Sequence, residues 1–280
     1  MTQPRPMTDR ATLLKNRARA RQAPAFFLQE AAASEIQERL NEVNRRFTRP
    51  AVVTPFAEIW APLMPDATMV ADEDILALEP GAHDLVIHAL CLHWANDPVG
   101  QMIQCRRALA PDGMFLATLF GDQTLQELRA ALAEAEIALS GGLSPRVAQM
   151  AELRDLGGLL QRAGFALPVA DAARRTVTYP DLHALMRDLR AMGEGNALTT
   201  RRKTIPPRQL FDDAAARYRA AWGDETGRIP ASFDIIFLTG WAPDDSQPKP
   251  LRPGSAAQRL ADALKTEEVA LPEQVIHPPD

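Results

Sequence analysis

Apolar residues along the chain follow two spacings, and each spacing predicts one kind of element. Short, nearly continuous apolar runs indicate strands buried on both faces, and apolar residues three and four apart indicate helices that bury one side. Strands are predicted at 51–53, 68–71, 84–92, 114–120, 165–180 and 231–243. Helices are predicted at 26–47, 56–64, 99–109, 121–139, 150–163, 181–192 and 208–222. Thr124 and Glu127 stand in Thr-x-x-Glu register, which predicts a capping box near the start of the long helix.

The order of these elements predicts the fold class. From about residue 50 to residue 242, strands alternate with helices, which is typical of an α/β protein whose mostly parallel sheet carries helices on both faces. Ligands of such sheets bind beyond the carboxyl ends of the strands. Residues 88–97 follow one predicted strand and residues 120–124 follow the next, so we expect the functional residues at these two places.

Three regions follow from the same patterns. Residues 1–24 form a basic arm, residues 25–242 form the α/β domain, and residues 243–280 form a Pro-rich tail that we expect to be largely flexible. The arm carries Lys15, Arg17, Arg19 and Arg21. These basic residues form either a solvated helix face or a docking surface for an acidic partner.

Charge and cysteine content narrow the kind of partner and the compartment. The formal net charge of −5 argues against a protein that coats nucleic acid. Two cysteines exclude a disulfide framework and suit a reducing compartment. Residues 1–15 lack the apolar stretch of a secretory signal, and no apolar run approaches the roughly 18 residues of a membrane span. We therefore expect a soluble, cytoplasmic protein.

The stretch "DLVIHALCLHWANDP" raises the question of a metal site. If the strand continues to Leu92, side-chain alternation puts His88 on the face opposite to Cys91 and His93. Too few ligands then meet to hold a metal, so we predict none. The chain also has no Gly-x-Ser-x-Gly nucleophile motif. Cys91 and Cys105 are best explained as small buried apolar residues.

The segment "ADEDILALEPGAHDLVIHALCLHWANDPVGQMIQCRRALAPDGMFLATLFGDQTLQELR" resembles class I S-adenosylmethionine-dependent methyltransferases. It is most similar to the BioC-like group and to the mitochondrial complex I assembly factor of that group. "GDQTL", "MGEGN" and the closing "GW" favour the assembly-factor branch. The resemblance covers about residues 25–242 and implies a Rossmann-like fold.

The resemblance also implies roles for particular residues. Asp72 and Glu73 stand where the family has an acidic loop beside the adenine of the cofactor, and His88 and Leu90 would line the cleft. His93 and Trp94 would face the place where the methyl group and the substrate meet. Each has a structural alternative: Asp72 and Glu73 could cap a helix, and His93 and Trp94 could be core residues with satisfied polar atoms.

One departure from the family changes the functional interpretation. The family's cofactor loop is a Gly-x-Gly-x-Gly turn after the first strand, whereas this chain reads "AVVTPFAEIW" there and has no glycine before Gly81. Glycines let the backbone of such a loop approach the ligand closely. Residues 50–72 hold only a strand, a short helix and a strand, although one βαβ unit takes about 30 residues. One strand and one helix of the family fold are therefore missing.

Two functional hypotheses follow. The first is a methyltransferase-fold protein of the complex I assembly type that acts on or chaperones a protein partner and has weakened or lost S-adenosylmethionine binding, as a pseudoenzyme would. The second is an active S-adenosylmethionine-dependent methyltransferase with an atypical cofactor loop. The assembly-factor resemblance also raises hydroxylation of a protein arginine, although the sequence shows no iron-binding triad.

Overall fold

The computed structural model describes residues 6–248, together with residues 262 and 266. Met1–Asp244 form one compact unit, and Asp245–Asp280 form a second unit of which few residues are described. The Pro-rich tail predicted at 243–280 therefore lies mostly outside the described residues. The α/β domain belongs to the first unit.

The first unit contains eight helices and six strands among its described residues. The helices are α1 (Arg10–Ala20), α2 (Phe27–Glu42), α3 (Ala57–Trp60), α4 (Pro98–Ala108), α5 (Gln126–Ser140), α6 (Leu153–Arg162), α7 (Leu182–Ala191) and α8 (Arg208–Trp222). The strands are β1 (Pro50–Val53), β2 (Thr68–Val70), β3 (His83–His88), β4 (Leu109–Phe120), β5 (Ala166–Tyr179) and β6 (Ile229–Trp241). A short 3₁₀ turn, Leu92–Trp94, follows β3.

All six strands join one sheet in the order β2-β1-β3-β4-β6-β5. β1 to β4 run parallel, and β6 runs antiparallel between β4 and β5. Every residue of β1 and β3 is buried, as expected for central strands covered on both faces. Two apolar clusters, one on each face, fill the space under the helices. The predicted Rossmann-like α/β fold is thus confirmed.

The first half of the sheet is short, as the sequence predicted. β2 has three residues and stands at the edge of the sheet, where a doubly wound sheet of order 3-2-1-4-5-6 would carry one more strand. Among the described residues, no strand lies beyond β2. Only α3, a single turn, connects β1 to β2.

The third predicted strand is longer than the observed one. β3 ends at His88 rather than at Leu92, because Leu90 adopts a left-handed backbone with φ of 45°. The backbone N–H of Leu90 donates to the Thr118 hydroxyl at 2.8 Å. The chain then enters the 3₁₀ turn, so the alternation used to separate His88 from Cys91 does not apply beyond His88.

The predicted capping box of α5 is also wrong. Leu125 occupies the N-cap position with φ of 54°. The Thr124 hydroxyl instead accepts the N–H of Asp234 at 3.1 Å and donates to the Asp234 carbonyl at 3.2 Å. Glu127 accepts the hydroxyl of Ser232 at 2.5 Å. The buried N–H and hydroxyl groups of β6 need acceptors, and Thr124 and Glu127 supply them. These bonds link the start of α5 to β6.

The basic arm folds onto the chain itself. α1 begins after Asp9, whose carboxylate accepts the N–H of Thr12 in an N-cap. Leu13 is fully buried and packs with Trp94 and Ala197. The segment from Met7 to Ala20, which we call the strap, is thereby tied to the chain after β3 and to the loop after α7. The predicted solvated face is wrong for Arg17, which is buried.

Candidate functional site

A cavity of about 360 Å³ opens at the carboxyl end of β4. Its apolar walls come from the sheet and from three helices: Phe120, Leu128, Leu132, Met186, Leu189, Phe211 and Phe233. Trp94, from the 3₁₀ turn after β3, closes one side. The cavity lies where the carboxyl ends of β3 and β4 meet, as the sequence predicted for a functional site. Its volume is at the small end of the range for ligand pockets.

One carboxylate lies in this mostly apolar cavity. Glu194 follows α7, and its Oε2 accepts the indole N–H of Trp94 at 2.7 Å and contacts His93 Nε2 at 3.2 Å. Among the described residues no hydrogen bond is made by Oε1 of Glu194, while its side chain is only 12 % exposed. The cavity that Trp94 and Phe120 line therefore also contains a carboxylate with one oxygen available as an acceptor.

Four arginines line the cavity beside this carboxylate: Arg146, Arg190, Arg201 and Arg202. Arg146 is held by Glu136 at 2.7 Å, and Arg201 by Asp9 of the strap at 2.9 Å. Burial raises the pKa of Glu136, but hydrogen bonds from Arg146 and Ser144 outweigh burial and lower this pKa to about 2. Arg202 lies farther from Glu136, at 3.6 Å. Two of the four charges are thus closely paired within the chain, whereas Arg190 makes no ion pair among the described residues.

The predicted adenine-side residue Asp72 is occupied by the strap. Arg17 Nη1 donates to both carboxylate oxygens of Asp72 at 2.8 Å, and Arg10 donates to its backbone carbonyl at 2.6 Å. The side chains of Arg17 and Asp72 are 3 % and 7 % exposed. Gly193 packs against this arrangement, since an added Cβ there would lie 3.2 Å from both Arg17 and Phe56.

The edge of the sheet beyond β1, where the resemblance places the cofactor, is occupied by the chain itself. Arg17 of the strap binds the carboxylate of Asp72, and Phe56 is buried after the turn that follows β1. The turn after β1 reads Thr54-Pro55, and the Thr54 hydroxyl accepts the N–H of Phe56 within the turn. No backbone N–H cradle of the kind that glycines provide is formed in this described turn.

The two predicted cleft residues are also buried. His88 is fully buried; its Nε2 lies 2.8 Å from Gln101 Oε1, and its Nδ1 lies 3.4 Å from the Cys91 thiol. Desolvation lowers the pKa of His88 to about 4 and raises the pKa of Cys91. Leu90 is 2 % exposed. Cys91 thus meets His88, not His93 as the strand pattern suggested.

Of the six predicted site residues, only Trp94 lines the cavity. His93 stands behind it against Phe120, with ring centroids 4.8 Å apart. Glu73 is exposed, and its carbonyl accepts an N–H from Gln101. Within the described ranges, no three His, Cys, Asp or Glu side chains cluster as metal ligands. The cofactor roles of Asp72, Glu73, His88 and Leu90 stay predictions.

Two candidate functional residues were not identified from the sequence. Glu194 lies inside the "MGEGN" motif, which supported the family resemblance but was not interpreted as part of a site. Arg17 belongs to the basic run of the arm, and the charge of that run alone predicts a solvated residue. Its i−4 neighbour Leu13 is apolar, and that spacing was the available signal that this helix face is buried.

Comparison with known proteins identifies the class. Residues 20–117 match the family model described as a methyltransferase domain. This match and the strand order of the sheet agree with the resemblance to class I S-adenosylmethionine-dependent methyltransferases.

Within that family, the chain is similar to two kinds of curated protein. It is 40 % identical over 202 residues to the "Arginine-hydroxylase NDUFAF5, mitochondrial" of Danio rerio, covering 72 % of this chain and 63 % of that protein. The protein of the same name from Dictyostelium discoideum is 42 % identical over 196 residues, covering 70 % and 45 %. The "Malonyl-[acyl-carrier protein] O-methyltransferase" of Xylella fastidiosa is 36 % identical over 184 residues, covering 66 % and 59 %.

The chain therefore matches between 45 % and 63 % of the length of these three relatives. The resemblance to the assembly-factor branch and to the BioC-like group, predicted from the sequence, is confirmed. No helix in the described part of the chain is long and apolar enough to cross a membrane. The predicted cytoplasmic location stays a prediction, since the NDUFAF5 relatives are named as mitochondrial.

Proposed function

We propose that this chain binds a protein partner through the cavity beside Glu194 and that its binding of S-adenosylmethionine is weak or lost. The ligand group in the cavity is an arginine side chain of the partner, flanked by apolar and acidic residues. The observation that carries the proposal is the contrast between two carboxylates: Asp72 is occupied by Arg17, whereas Glu194 lines an open cavity and has one oxygen without a hydrogen bond among the described residues.

The chemistry of the cavity supports a guanidinium ligand. Glu194 accepts bonds from Trp94 and His93 on one oxygen, which leaves the other for a donor. Aromatic rings of Trp94, Phe120 and Phe211 line the same space, and guanidinium groups stack on such rings. Acidic residues beside the arginine would meet Arg190 and Arg202 at the cavity. The name of the NDUFAF5 relatives, arginine-hydroxylase, agrees with an arginine-containing target.

The cofactor edge supports the second half of the proposal. S-adenosylmethionine could bind there only after the strap leaves, which would break the buried pair between Arg17 and Asp72 and expose Leu13. A ligand that needs a rare open state binds with an affinity reduced by the fraction of that state. The loop after β1 adds no compensating phosphate- or carboxylate-binding turn.

Two titrations of the full chain test these statements separately. The first uses S-adenosylmethionine and S-adenosylhomocysteine in a calorimeter, and we expect no heat of binding up to millimolar ligand. Micromolar binding of either compound would contradict the proposal that S-adenosylmethionine binding is weak or lost. It would favour the active methyltransferase, the alternative suggested by the similarity to malonyl-[acyl-carrier protein] O-methyltransferases.

The second titration uses a fluorescent peptide with one central arginine between apolar and acidic residues. We expect saturable binding that is lost when citrulline, a neutral isostere, replaces the arginine. Glu194→Gln removes the charge and should weaken binding about 10- to 100-fold, since hydrogen bonds to charged groups contribute about 1.5–3 kcal/mol. Glu134→Gln, an exposed carboxylate on α5, is the matched control and should change nothing. Equal affinity for the arginine and citrulline peptides would sink the proposal.

A further inference from the structure

The two edges of the sheet differ sharply in length. β2, at one edge, has three residues, while β5, at the other, has 14. Among the described strands, β5 pairs only with β6. The outer side of a long edge strand presents unpaired N–H and C=O groups, which another strand can bind.

The side chains of β5 leave this edge accessible. Val169 is 54 % exposed, and the side chains of Arg174 and Arg175 are 55 % and 48 % exposed. Asp171 and Arg175 lie on the same face of the strand, where they contact Arg39 and Glu35 of α2. From Val169 to Tyr179 the register with β6 is continuous, so the strand is regular where it could pair again.

The sequence of β5 is complementary to itself. We propose that two copies of the chain form a twofold dimer in which β5 pairs antiparallel with β5 of the second copy, centred on Ala173. In this register Asp171 of each copy lies opposite Arg175 of the other, and Val169 lies opposite Val177. Unlike charges and β-branched residues directly opposite each other are the cross-strand pairs that stabilise sheets.

Other symmetric registers are less favourable. Residues directly opposite each other in an antiparallel pair point to the same face of the sheet. A twofold axis perpendicular to the sheet also keeps each residue on its own face, so the axis must lie between two copies of the same residue. Centring on Asp171, Arg174 or Arg175 places that residue opposite its own copy, and like charges there are destabilising. Centring on Ala172 forms no pair of unlike charges. Pro168, which lacks an N–H, lies just outside the span 169–177 of the proposed pairing.

Charge variants of the full chain test the proposed pairing. Sedimentation or light scattering at micromolar concentrations should show a dimer. In a dimer of Asp171→Arg, both cross-strand pairs between positions 171 and 175 would join two arginines. In a dimer of Arg175→Asp, both would join two aspartates. Each variant alone should therefore be monomeric. An equal mixture of the two variants restores both unlike pairs and should dimerise. A monomeric wild-type chain overturns the proposal, as does a mixture that stays monomeric.

A cysteine pair gives a second, less disruptive test. Residues directly opposite have Cβ atoms about 4.5–5.5 Å apart, so Ala173→Cys should form a disulfide between copies on mild oxidation. Ala172→Cys, on the other face and one position from the axis, should not. Cys91 and Cys105 are buried and do not compete. Equal crosslinking of both variants, or of neither, would mean that something other than a second β5 covers this edge.

Discussion

At the scale of single residues, the pair between Arg17 and Asp72 holds the strap against the chain after β2. Both side chains are nearly fully buried, and Arg17 Nη2 has no hydrogen-bond partner among the described residues. Burying two charges costs free energy that only a close partner offsets. The pair therefore stabilises the docked strap only while both members are present.

We predict that Arg17→Ala lowers the free energy of unfolding by about 3 kcal/mol, the low end for a broken buried pair, because Asp72 would keep only the longer contact to Arg10 at 3.4 Å. Urea unfolding followed by far-UV circular dichroism measures the change. The double variant Arg17→Met, Asp72→Leu should be less destabilised than Arg17→Ala, since neither charge is then left alone.

Arg21 and Glu58 provide the matched control for that measurement. They link the C-cap of α1 to α3, at 3.1 Å, but their side chains are 48 % and 45 % exposed. Exposed pairs contribute at most about 1 kcal/mol, so Glu58→Ala, which removes this pair and keeps the bond from Arg21 to the Pro55 carbonyl, should change stability little. Equal losses for Arg17→Ala and Glu58→Ala would show that burial of the first pair is not what matters.

At the scale of elements, the sequence predicted the type and order of the helices and strands well. Apolar runs such as 114–120 and 231–243 carry that information locally. The ends of elements depended on distant partners that no local pattern contains. β3 stops at His88 because Leu90 donates to Thr118 on the neighbouring strand, and Thr124 and Glu127 bond to β6 rather than to their own helix.

The strap shows the same limit for the candidate site. Its basic residues fit the pattern of a solvated surface, because charge in a short window does not reveal an acidic partner 55 residues away in sequence. Glu194 likewise meets Trp94 across 100 residues. The place of the site, beyond the carboxyl ends of β3 and β4, followed from the fold class. The side chains that line the site could not be predicted in the same way, since loops and the strap supply them.

At the scale of the whole molecule, stability should depend on pH in two separate windows. His88 is buried in its neutral form, and its pKa falls from 6.5 to about 4 on folding. The contribution of neutral His88 to the free energy of unfolding is complete above pH 6.5. It is lost as the pH falls toward 4, because the unfolded chain then binds a proton that the folded chain does not. Glu136 and Asp84 also have lowered pKa values, but their contributions are lost only below the ordinary carboxylate range.

We predict that the free energy of unfolding decreases between pH 6.5 and pH 4.5, with a slope of up to about 1.4 kcal/mol per pH unit from His88 alone. His88→Gln keeps a hydrogen-bonding side chain but cannot take up a proton, so it should flatten this window and leave the fall at lower pH in place. His183→Gln, at an exposed position on α7, serves as the control and should keep the wild-type slope. Urea unfolding at a series of pH values separates the two windows. An unchanged slope in His88→Gln would assign the upper window to other groups, and the burial of neutral His88 would then not limit the stability of the sheet in mild acid.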